Sequence, residues 1–395
     1  MWWLLAFQLK LLKICKMNIQ IPLFKIYTDN EDVKAITETI RAERDWAIGP
    51  QVEQFEKKLA SYLGVKYALV FNSGTSALHG LMLALGIGLG DEVIVPSFTF
   101  IATANAPIFV GAKPVFAEIE SKTFGLDPAD VEKKITKKTK AIMPIHYGGS
   151  SCQIKALKKI AQKHHLFLIE DAAESLGAKV GKQKVGSFGQ AAILSFCQNK
   201  IITTGEGGAV VTNSPKIYEW LKLIRSHGRR EKQNYFSSTQ KANYVSLGYN
   251  FRMSNIAAAL GVSQLQKIDK IIAQRRKNAA YLNKKLNILE DKIVLPGSLK
   301  NYFHVFQMYT IMVKDGEKTR NNLKNYLEKN GITAKIYFDP VHLSAFYRRK
   351  FAFQKGALPI TEKIAQEALS LPLYPGLTQK EMDYIANNLI SFFRK

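Results

Sequence analysis

The sequence predicts an α/β protein built on a largely parallel sheet that helices cover on both faces. From residue 66 onward, short apolar runs of strand length alternate with helical patterns, and these runs are apolar at nearly every position. Strands of this composition are typical of parallel sheets, because both of their faces are buried. The 395 residues exceed a typical single domain, so we expect one large and one smaller domain.

The elements of the large domain follow in a regular order. Two helices come first, at 30–44 and 51–63, and Asn30 is the expected N-cap of the first. Strands are then expected at 67–71, 92–96, 114–118, 141–146 and 166–170, and helices at 76–85, 99–110, from Pro128 onward, and at 154–164. Asp127 is a typical N-cap and Pro128 a typical first helical residue. The alternation predicts the helical crossovers that parallel neighbours require.

A second domain is expected after a long helical stretch at 254–285. The buried stripe of this stretch is predicted to consist of apolar residues at helical spacing, namely Ile256, Leu260, Leu265, Ile268 and Ile272. Strands are then expected near 305–313 and 333–337, and helices near 320–329, 362–369 and 378–393. Thr378 and Glu381 have the spacing of a capping box for the last helix.

The chain is therefore expected to divide at residue 265. Residues 17–265 would hold an N-terminal segment and the large domain, and residues 266–395 the connecting helix and a small C-terminal α+β domain. Residues 1–16 are too short and too interrupted by polar side chains to span a bilayer. We expect them to be a non-native or flexible extension, and an amphipathic helix touching a membrane surface is the alternative.

The chain is strongly basic, with 56 Lys and Arg against 32 Asp and Glu, for a net charge of +24. Much of the excess is lysine on expected helix faces, such as Lys158 and Lys159, where solvated side chains explain it. No basic motif with interleaved aromatic residues is present, so nucleic-acid binding is not expected as the main role. A preference for an anionic substrate is the better interpretation.

The three cysteines, Cys15, Cys152 and Cys197, have neither paired nor Cys-x-x-Cys spacing. This pattern predicts neither a disulfide framework nor a metal site. A reducing compartment, and so a cytoplasmic location, fits best.

Polar residues follow two of the predicted strands, at the edge where ligands bind in open parallel sheets. The turn Asn72-Ser73-Gly74-Thr75-Ser76 leads into a helix, whose free amides suit a phosphate, although an ordinary N-cap is the simpler interpretation. Asp171 ends an apolar strand, where a carboxylate is costly without a cationic partner. A protonated pyridine nitrogen is one such partner, and an exposed strand end is the alternative.

Lys200 lies between two apolar, strand-like runs, five residues after Ser195 and just before the glycine-dense turn at 205–208. Burial and nearby positive charge lower the pKa of a lysine, and its neutral amine can attack a carbonyl to form a Schiff base. A solvated lysine on a surface hairpin is the alternative. A phosphate turn, an acid and a lysine in this order together predict a pyridoxal 5'-phosphate (PLP) enzyme.

Six stretches resemble the DegT/DnrJ/StrS family of PLP-dependent sugar aminotransferases. They are IGPQVEQFE (48–56), FNSGTSAL (71–78), VPSFTFIATANA (95–106), IEDAAESLGA (169–178), the pattern SF–NK–ITTGEGG within 195–208, and GYNFRMSNIAAALG (248–261). The resemblance extends over essentially 21–395. It implies the fold type I aminotransferase architecture, with a mostly parallel seven-stranded sheet, and a homodimer with active sites at the subunit interface.

The resemblance also implies roles for individual residues. Lys200 would form the Schiff base with the cofactor, and Asp171 would hold the pyridine nitrogen. Five further cofactor contacts would come from Gly74, Thr75 and Ser195 at the phosphate, Phe100 against the ring and Glu174 over the cofactor. Asn250 would reach the phosphate of the neighbouring subunit, and His342 would lie near the sugar nucleotide.

The same resemblance implies the reaction. Glu174 stands where many relatives carry glutamine or histidine, and glutamate there resembles perosamine-synthase-like members. The motif ITTGEGG resembles the corresponding sequence of enzymes that aminate C4 of the sugar. Transfer of an amino group from L-glutamate to C4 of a nucleotide-linked 4-keto-6-deoxyhexose, for surface polysaccharide or glycan biosynthesis, is therefore expected. A C3 aminotransferase and a non-catalytic regulatory or binding protein are the alternatives.

Overall fold

The computed structural model of the protein describes residues 20–230, 239 and 241–394. The expected extension at residues 1–16 lies outside them. Within the described residues the strands are, in chain order, β1 (Tyr67–Phe71), β2 (Glu92–Pro96), β3 (Lys113–Ala117), β4 (Thr139–Ile142), β5 (Phe167–Asp171), β6 (Lys179–Val180), β7 (Gln183–Lys184), β8 (Ala191–Ser195), β9 (Gly208–Thr212), β10 (Ile293–Val294), β11 (Tyr302–Phe303), β12 (Tyr309–Val313) and β13 (Ala368–Leu371).

The helices of the described chain surround these strands. In chain order they are α1 (Asn30–Arg41), α2 (Pro50–Leu63), α3 (Gly74–Ala84), α4 (Ile101–Phe109), α5 (Pro128–Lys134), α6 (Ile154–Lys163), α7 (Pro215–Arg225), α8 (Asn255–Gln266), α9 (Ile268–Leu286), α10 (Gly316–Lys329), α11 (Ala345–Phe351), α12 (Pro359–Glu367) and α13 (Gln379–Phe393). Single 3₁₀ turns lie at Tyr147–Gly149, Asn287–Leu289 and Val341–Leu343.

The central sheet has seven strands in the order β1-β9-β8-β5-β4-β2-β3. The five strands from β8 to β3 are parallel, whereas β9 runs antiparallel to both β1 and β8. Along β8, Ala192 and Leu194 enter one core cluster with α2, α8 and α9, while Ala191 and Ile193 enter another with α3, α4 and α7. Helices therefore cover both faces, which explains the continuous apolar runs. The mostly parallel seven-stranded sheet is confirmed.

The predicted helix at 254–285 is wrong as a single element, because the chain breaks at Lys267 into α8 and α9. The Lys267 ammonium lies 2.6 Å from Asp29 and 2.7 Å from Asp32, the latter in α1. Ile256 and Leu260 are only half-buried. Small residues of α8 face the core instead, since a Cβ at Gly261 would lie 2.5 Å from the Phe55 ring.

The small-domain predictions need two further corrections. Residues 333–337 form no strand: Lys335 makes an isolated bridge with Ser370, and the Thr333 N–H donates to the Ile21 oxygen. The helix predicted at 362–369 ends at Glu367, and the chain continues directly into β13, which pairs with β12. The capping box of Thr378 and Glu381 is present as predicted. The α1 cap is Asp29 instead of Asn30.

The small sheet β10-β12-β13 is antiparallel, and α9, α10 and α13 pack on one of its faces. Just before β12, the main chain bonds back to the 3₁₀ turn at Tyr147–Gly149: Val305 N–H donates to Gly149 and Met308 N–H to Gly148. This pairing explains why β12 begins at Tyr309 and not at the predicted residue 305. Throughout the described chain, every helix is too short or too polar to pass through a bilayer.

Candidate active site

The sheet order brings the ends of three strands together. Gly208, the first residue of β9, pairs with Phe71 at the end of β1 on one side and with Ser195 at the end of β8 on the other. Next to β8, Asp171 at the end of β5 pairs with Ile193. The segments that follow β1, β5 and β8 therefore meet at one edge, although β1 ends at residue 71 and the other two strands end at residues 171 and 195.

The segment after β1 forms the N-terminus of α3. Ser73 caps the helix by accepting the Ser76 N–H at 3.0 Å, so its hydroxyl is already used. Gly74 and Thr75 lie in the first helical turn, whose N–H groups have no intrahelical acceptor, and Thr75 is exposed. A Cβ at Gly74 would lie 3.3 Å from the Ser195 Cβ. The three residues predicted to bind a phosphate, Gly74, Thr75 and Ser195, thus lie together.

Asp171 is a buried carboxylate, with 3% of its surface exposed. Its Oδ2 accepts from the Thr103 hydroxyl at 2.7 Å, and its Oδ1 accepts the Ala173 N–H at 3.1 Å. Burial raises the pKa of Asp171, and these hydrogen bonds and the charge of Lys200 oppose the rise only in part. A cationic group beside this carboxylate would recover part of the solvation that burial removes.

Thr103 lies at the same site through its hydrogen bond to Asp171, although it was not predicted from the sequence. Its hydroxyl also lies 2.8 Å from the hydroxyl of Thr99. The two threonines are four residues apart around the start of α4, a spacing that places side chains on one helix face. That spacing is a signal that could have identified the pair.

Lys200 lies in the segment 196–207, which has no regular secondary structure. Its side chain is 15% exposed, and its Nζ is 3.6 Å from Oε1 of the buried Glu174. The solvated-hairpin alternative therefore does not describe this lysine. The other oxygen of Glu174 accepts the Gly148 N–H at 2.9 Å. Burial raises the pKa of Glu174, while the positive charge of Lys200 opposes the rise.

Glu170, the residue before Asp171, has a different task. Its carboxylate accepts the N–H groups of Gly186, Phe188 and Gly189 and lies 3.0 Å from Nε2 of His146. His146 Nδ1 accepts the Cys152 N–H, so the hydrogen of the ring is on Nε2, which donates a hydrogen bond to Glu170. Successive side chains of a strand point to opposite faces, and only Asp171 faces the site.

Phe100 and Asn250 lie at exposed positions around these groups. Phe100 precedes α4 with 58% of its surface exposed, and its ring centre is 6.3 Å from that of Phe338. Asn250 is exposed, and its main-chain oxygen accepts from the Asn72 side chain at 3.4 Å. Both residues could therefore contact a bound molecule or a neighbouring subunit.

His342 is placed differently from the other predicted site residues. It is fully buried, with Nδ1 2.7 Å from the Ser97 hydroxyl and Nε2 3.1 Å from Glu362. Both ring nitrogens therefore have partners inside the protein. This arrangement favours a structural role in which His342 connects Ser97, just after β2, to Glu362 in α12, and it gives no support to the predicted contact with a sugar nucleotide.

A cleft of about 580 Å³ opens beside Phe100, between the large domain and residues 335–344. Three basic and three acidic side chains line it, so its charge alone does not select an anion. A larger cavity of about 910 Å³ reaches Tyr147 and Gly148, but its lining among the described residues lacks Lys200 and Asp171. Groups of three or more metal-binding side chains are absent from the part of the chain that the structure describes.

The residues at this edge fit PLP. A helix N-terminus with Thr75 and Ser195 beside it suits the phosphate. Asp171 is buried, and no cationic side chain among the described residues contacts it directly, so it suits a protonated ring nitrogen; the largely buried Lys200 suits the aldehyde.

Residues 27–390 match the DegT/DnrJ/EryC1/StrS aminotransferase family. A GDP-perosamine synthase of Caulobacter vibrioides is 39% identical over 340 residues, covering 86% of this chain and 89% of that protein. Among solved structures, the Helicobacter pylori aminotransferase PseC, involved in pseudaminic acid biosynthesis, is 31% identical with a TM-score of 0.88, covering 95% of this chain and 99% of that chain. A Streptococcus pneumoniae sugar aminotransferase in its PLP form is 25% identical with a TM-score of 0.89, with the same coverage.

Proposed function

The chain belongs to the DegT/DnrJ/EryC1/StrS aminotransferase family, and we propose that it transfers the amino group of L-glutamate to C4 of a nucleotide-linked 4-keto-6-deoxyhexose. It is an aminotransferase, and PLP is its cofactor, as predicted from the sequence. The observation that carries the proposal is the position of the largely buried Lys200. Its Nζ lies 3.6 Å from Glu174 Oε1, at the same edge of the sheet as Asp171 and the N-terminus of α3. We also propose the roles of the site residues, glutamate as the amino donor, and C4 as the position on the sugar that receives the amino group.

Each residue of the site has one task in this proposal. Gly74 and Thr75 in the first turn of α3, with Ser195, bind the cofactor phosphate, and the exposed Phe100 covers one side of the ring. Asp171 keeps a proton on the ring nitrogen through its negative charge. When bound, PLP supplies an electron sink for the carbon that loses its proton.

Lys200 is the proton carrier at the reacting carbon. Its amine takes the α-proton of glutamate, and in the second half of the reaction it returns a proton to C4 of the sugar. Glu174 lies within ion-pair distance of the amine and is held by the Gly148 N–H. Its carboxylate therefore restrains the direction of the lysine side chain between the two halves. The products are 2-oxoglutarate and an amino sugar.

Amination at C4 and a perosamine-like product are supported by the similarity to GDP-perosamine synthases. A role in surface polysaccharide or glycan biosynthesis follows as part of the same proposal. The homodimer is part of it as well, because Thr75, Phe100 and Asn250 are exposed where a second subunit would complete the site. The cytoplasmic location stays a prediction.

The lysine is tested first. Lys200→Ala is expected to abolish turnover and the covalent attachment of PLP that borohydride reduction and mass spectrometry detect. Lys184→Ala is the matched control, because Lys184 bonds to the Tyr62 carbonyl away from the sheet edge. PLP found on another lysine, or unchanged turnover in Lys200→Ala, would contradict the assignment.

The substrate is tested with ¹⁵N-labelled glutamate and a panel of GDP-, UDP- and dTDP-linked 4-keto-6-deoxyhexoses. We expect one nucleotide to be preferred, and NMR of the product to place the ¹⁵N on C4. Labelling at C3, or no labelling with any of the sugars, would refute the proposed reaction. Mixed dimers of Lys200→Ala and Asn250→Ala subunits test the shared site, since activity should reappear only when the two subunits complement each other.

A further inference from the structure

Gln307 connects the small domain to the segment that carries Lys200. The residue lies two positions before β12, and 6% of its surface is exposed. Its side-chain Nε2 donates to the main-chain oxygen of Asn199 at 2.6 Å. That oxygen belongs to the peptide group joining Asn199 to Lys200. The hydrogen bond therefore acts on the backbone unit from which the reactive lysine extends.

Gln307 is itself held rigidly. The buried Arg275 of α9 donates to the main-chain oxygen of Gln307 at 2.7 Å and to that of Phe306 at 2.8 Å. Burial lowers the pKa of Arg275 to about 10, so it remains a cation at neutral pH. Gly149 packs so closely against this segment that a Cβ at position 149 would lie 2.6 Å from the main-chain nitrogen of Gln307. The amide of Gln307 thus starts from an anchored backbone.

The same small-domain segment also reaches the other end of Lys200. The Met308 N–H donates to the oxygen of Gly148, and the Gly148 N–H donates to Glu174, which lies beside the lysine Nζ. The peptide before Lys200 and the carboxylate at its tip are therefore both connected to residues 307–308. A shift of this segment would change both ends of the lysine together.

The orientation of the Gln307 amide is determined by its surroundings. Only its NH₂ group can donate to the Asn199 oxygen, so Oε1 points away, and this buried oxygen has no hydrogen-bond partner among the described residues. An unpaired buried acceptor is costly, and it is kept here together with a short hydrogen bond to the lysine-bearing segment.

We propose that Gln307 is a positioning residue that, anchored by Arg275, holds the Asn199–Lys200 peptide and keeps the lysine amine beside Glu174. The proposal rests on the assignment of Lys200 as the cofactor-bearing lysine. It makes the small domain part of the catalytic machinery through one side chain that does not itself touch the reacting atoms.

Gln307→Met tests this directly, because methionine has a similar length and no donor. Gln264→Met is the matched control: Gln264 is also a buried glutamine, but its NH₂ bonds to Tyr27 and Asp32, far along the chain from Lys200. In apoenzyme, hydrogen exchange of the peptide covering 196–207 should be about tenfold faster in Gln307→Met than in wild type or Gln264→Met.

The kinetic expectation is a fall in kcat. The rate of the half-reaction with glutamate should fall about 10- to 100-fold in Gln307→Met, the range expected for misplacing a reacting group by about 1 Å. The KM for glutamate should stay within about threefold, because Gln307 lies behind the lysine and not in the path of the substrate. Gln307→Asn, whose side chain is shorter by one carbon, should likewise lower the rate of the half-reaction and leave the KM nearly unchanged. It replaces Gln307→Met in the test if that variant does not fold.

Two outcomes would overturn the proposal. The first is a folded Gln307→Met or Gln307→Asn protein in which the hydrogen-exchange rate of residues 196–207 and the rate of the half-reaction with glutamate both stay within twofold of wild type. The other is an equal loss in Gln264→Met, which would show that general destabilisation causes the effect. Borohydride reduction of the wild-type protein distinguishes a failure of the Gln307 proposal from a failure of the proposed function. If the reduced protein carries PLP on a residue other than Lys200, the assignment of the lysine itself is wrong.

Discussion

Replacing Gly208 with alanine should weaken cofactor binding without unfolding the protein. Gly208 begins β9 between the ends of β1 and β8, so its Cα faces the turn that leads into α3. A Cβ at this position would lie 2.5 Å from the Gly74 nitrogen and from the carbonyl carbon and oxygen of Ser73. All three atoms are backbone, so a change of side-chain rotamer cannot relieve the overlap.

The magnitude follows from the distances. Ordinary contacts of a Cβ begin at 3.4 Å, so the α3 N-terminus must move by about 0.9 Å. A displacement of this size disrupts about one hydrogen bond to a charged group, which contributes about 1.5–3 kcal/mol. The Kd for PLP should therefore rise about 10- to 150-fold. The cofactor phosphate is the group affected, because the first-turn amides move away from it.

The assay is a titration of apoenzyme with PLP, followed by the absorbance of the bound cofactor, with the thermal midpoint of the apoenzyme measured in parallel. Gly376→Ala is the control, since a Cβ there meets nothing within 4 Å and its backbone is not left-handed. A Kd within threefold of wild type in a folded Gly208→Ala protein would refute the placement of the phosphate at the α3 N-terminus.

Three further predictions concern stability and the subunit interface. Burial lowers the pKa of His304 to about 3, and its Nδ1 accepts the Phe306 N–H, so the folded protein keeps this ring neutral while the unfolded chain takes up a proton below about pH 6.5. The free energy of unfolding should therefore fall as the pH drops below 6.5, and His304 should account for about 2 kcal/mol of the fall between pH 7 and pH 5. The variant His304→Asn keeps a hydrogen-bond acceptor but does not titrate, so its urea unfolding should lack that loss. Glu170→Gln puts an NH₂ group against N–H donors and should lower the unfolding free energy by about 3 kcal/mol in urea titrations; an unchanged midpoint would contradict the network. Asn250→Ala removes an exposed side chain and should change stability by less than about 0.5 kcal/mol, while cofactor retention on a desalting column falls; unchanged retention would argue against a shared site.

Local patterns in the sequence predicted most of the central sheet. Strand β1 has the bounds expected from its five apolar residues, and β2 likewise, because a buried strand must be apolar on both faces. Asp127 and Pro128 marked the start of α5, since capping depends on neighbours in the chain. The break at Lys267 was missed, and the carboxylates that this lysine contacts belong to residues 29 and 32, over two hundred positions away in the chain.

The sequence by itself predicted the lysine, the aspartate and the phosphate turn as site residues, since each is recognisable from the residue type at the end of an apolar strand. Only the tertiary structure decided how these residues are supported. It placed Glu170 under a backbone turn, buried His342 between Ser97 and Glu362, and brought Gln307 to the peptide that precedes Lys200. The physical reason is that a strand or a cap depends on nearby residues, whereas a buried polar group takes its partner from whichever segment the fold brings within about 3 Å.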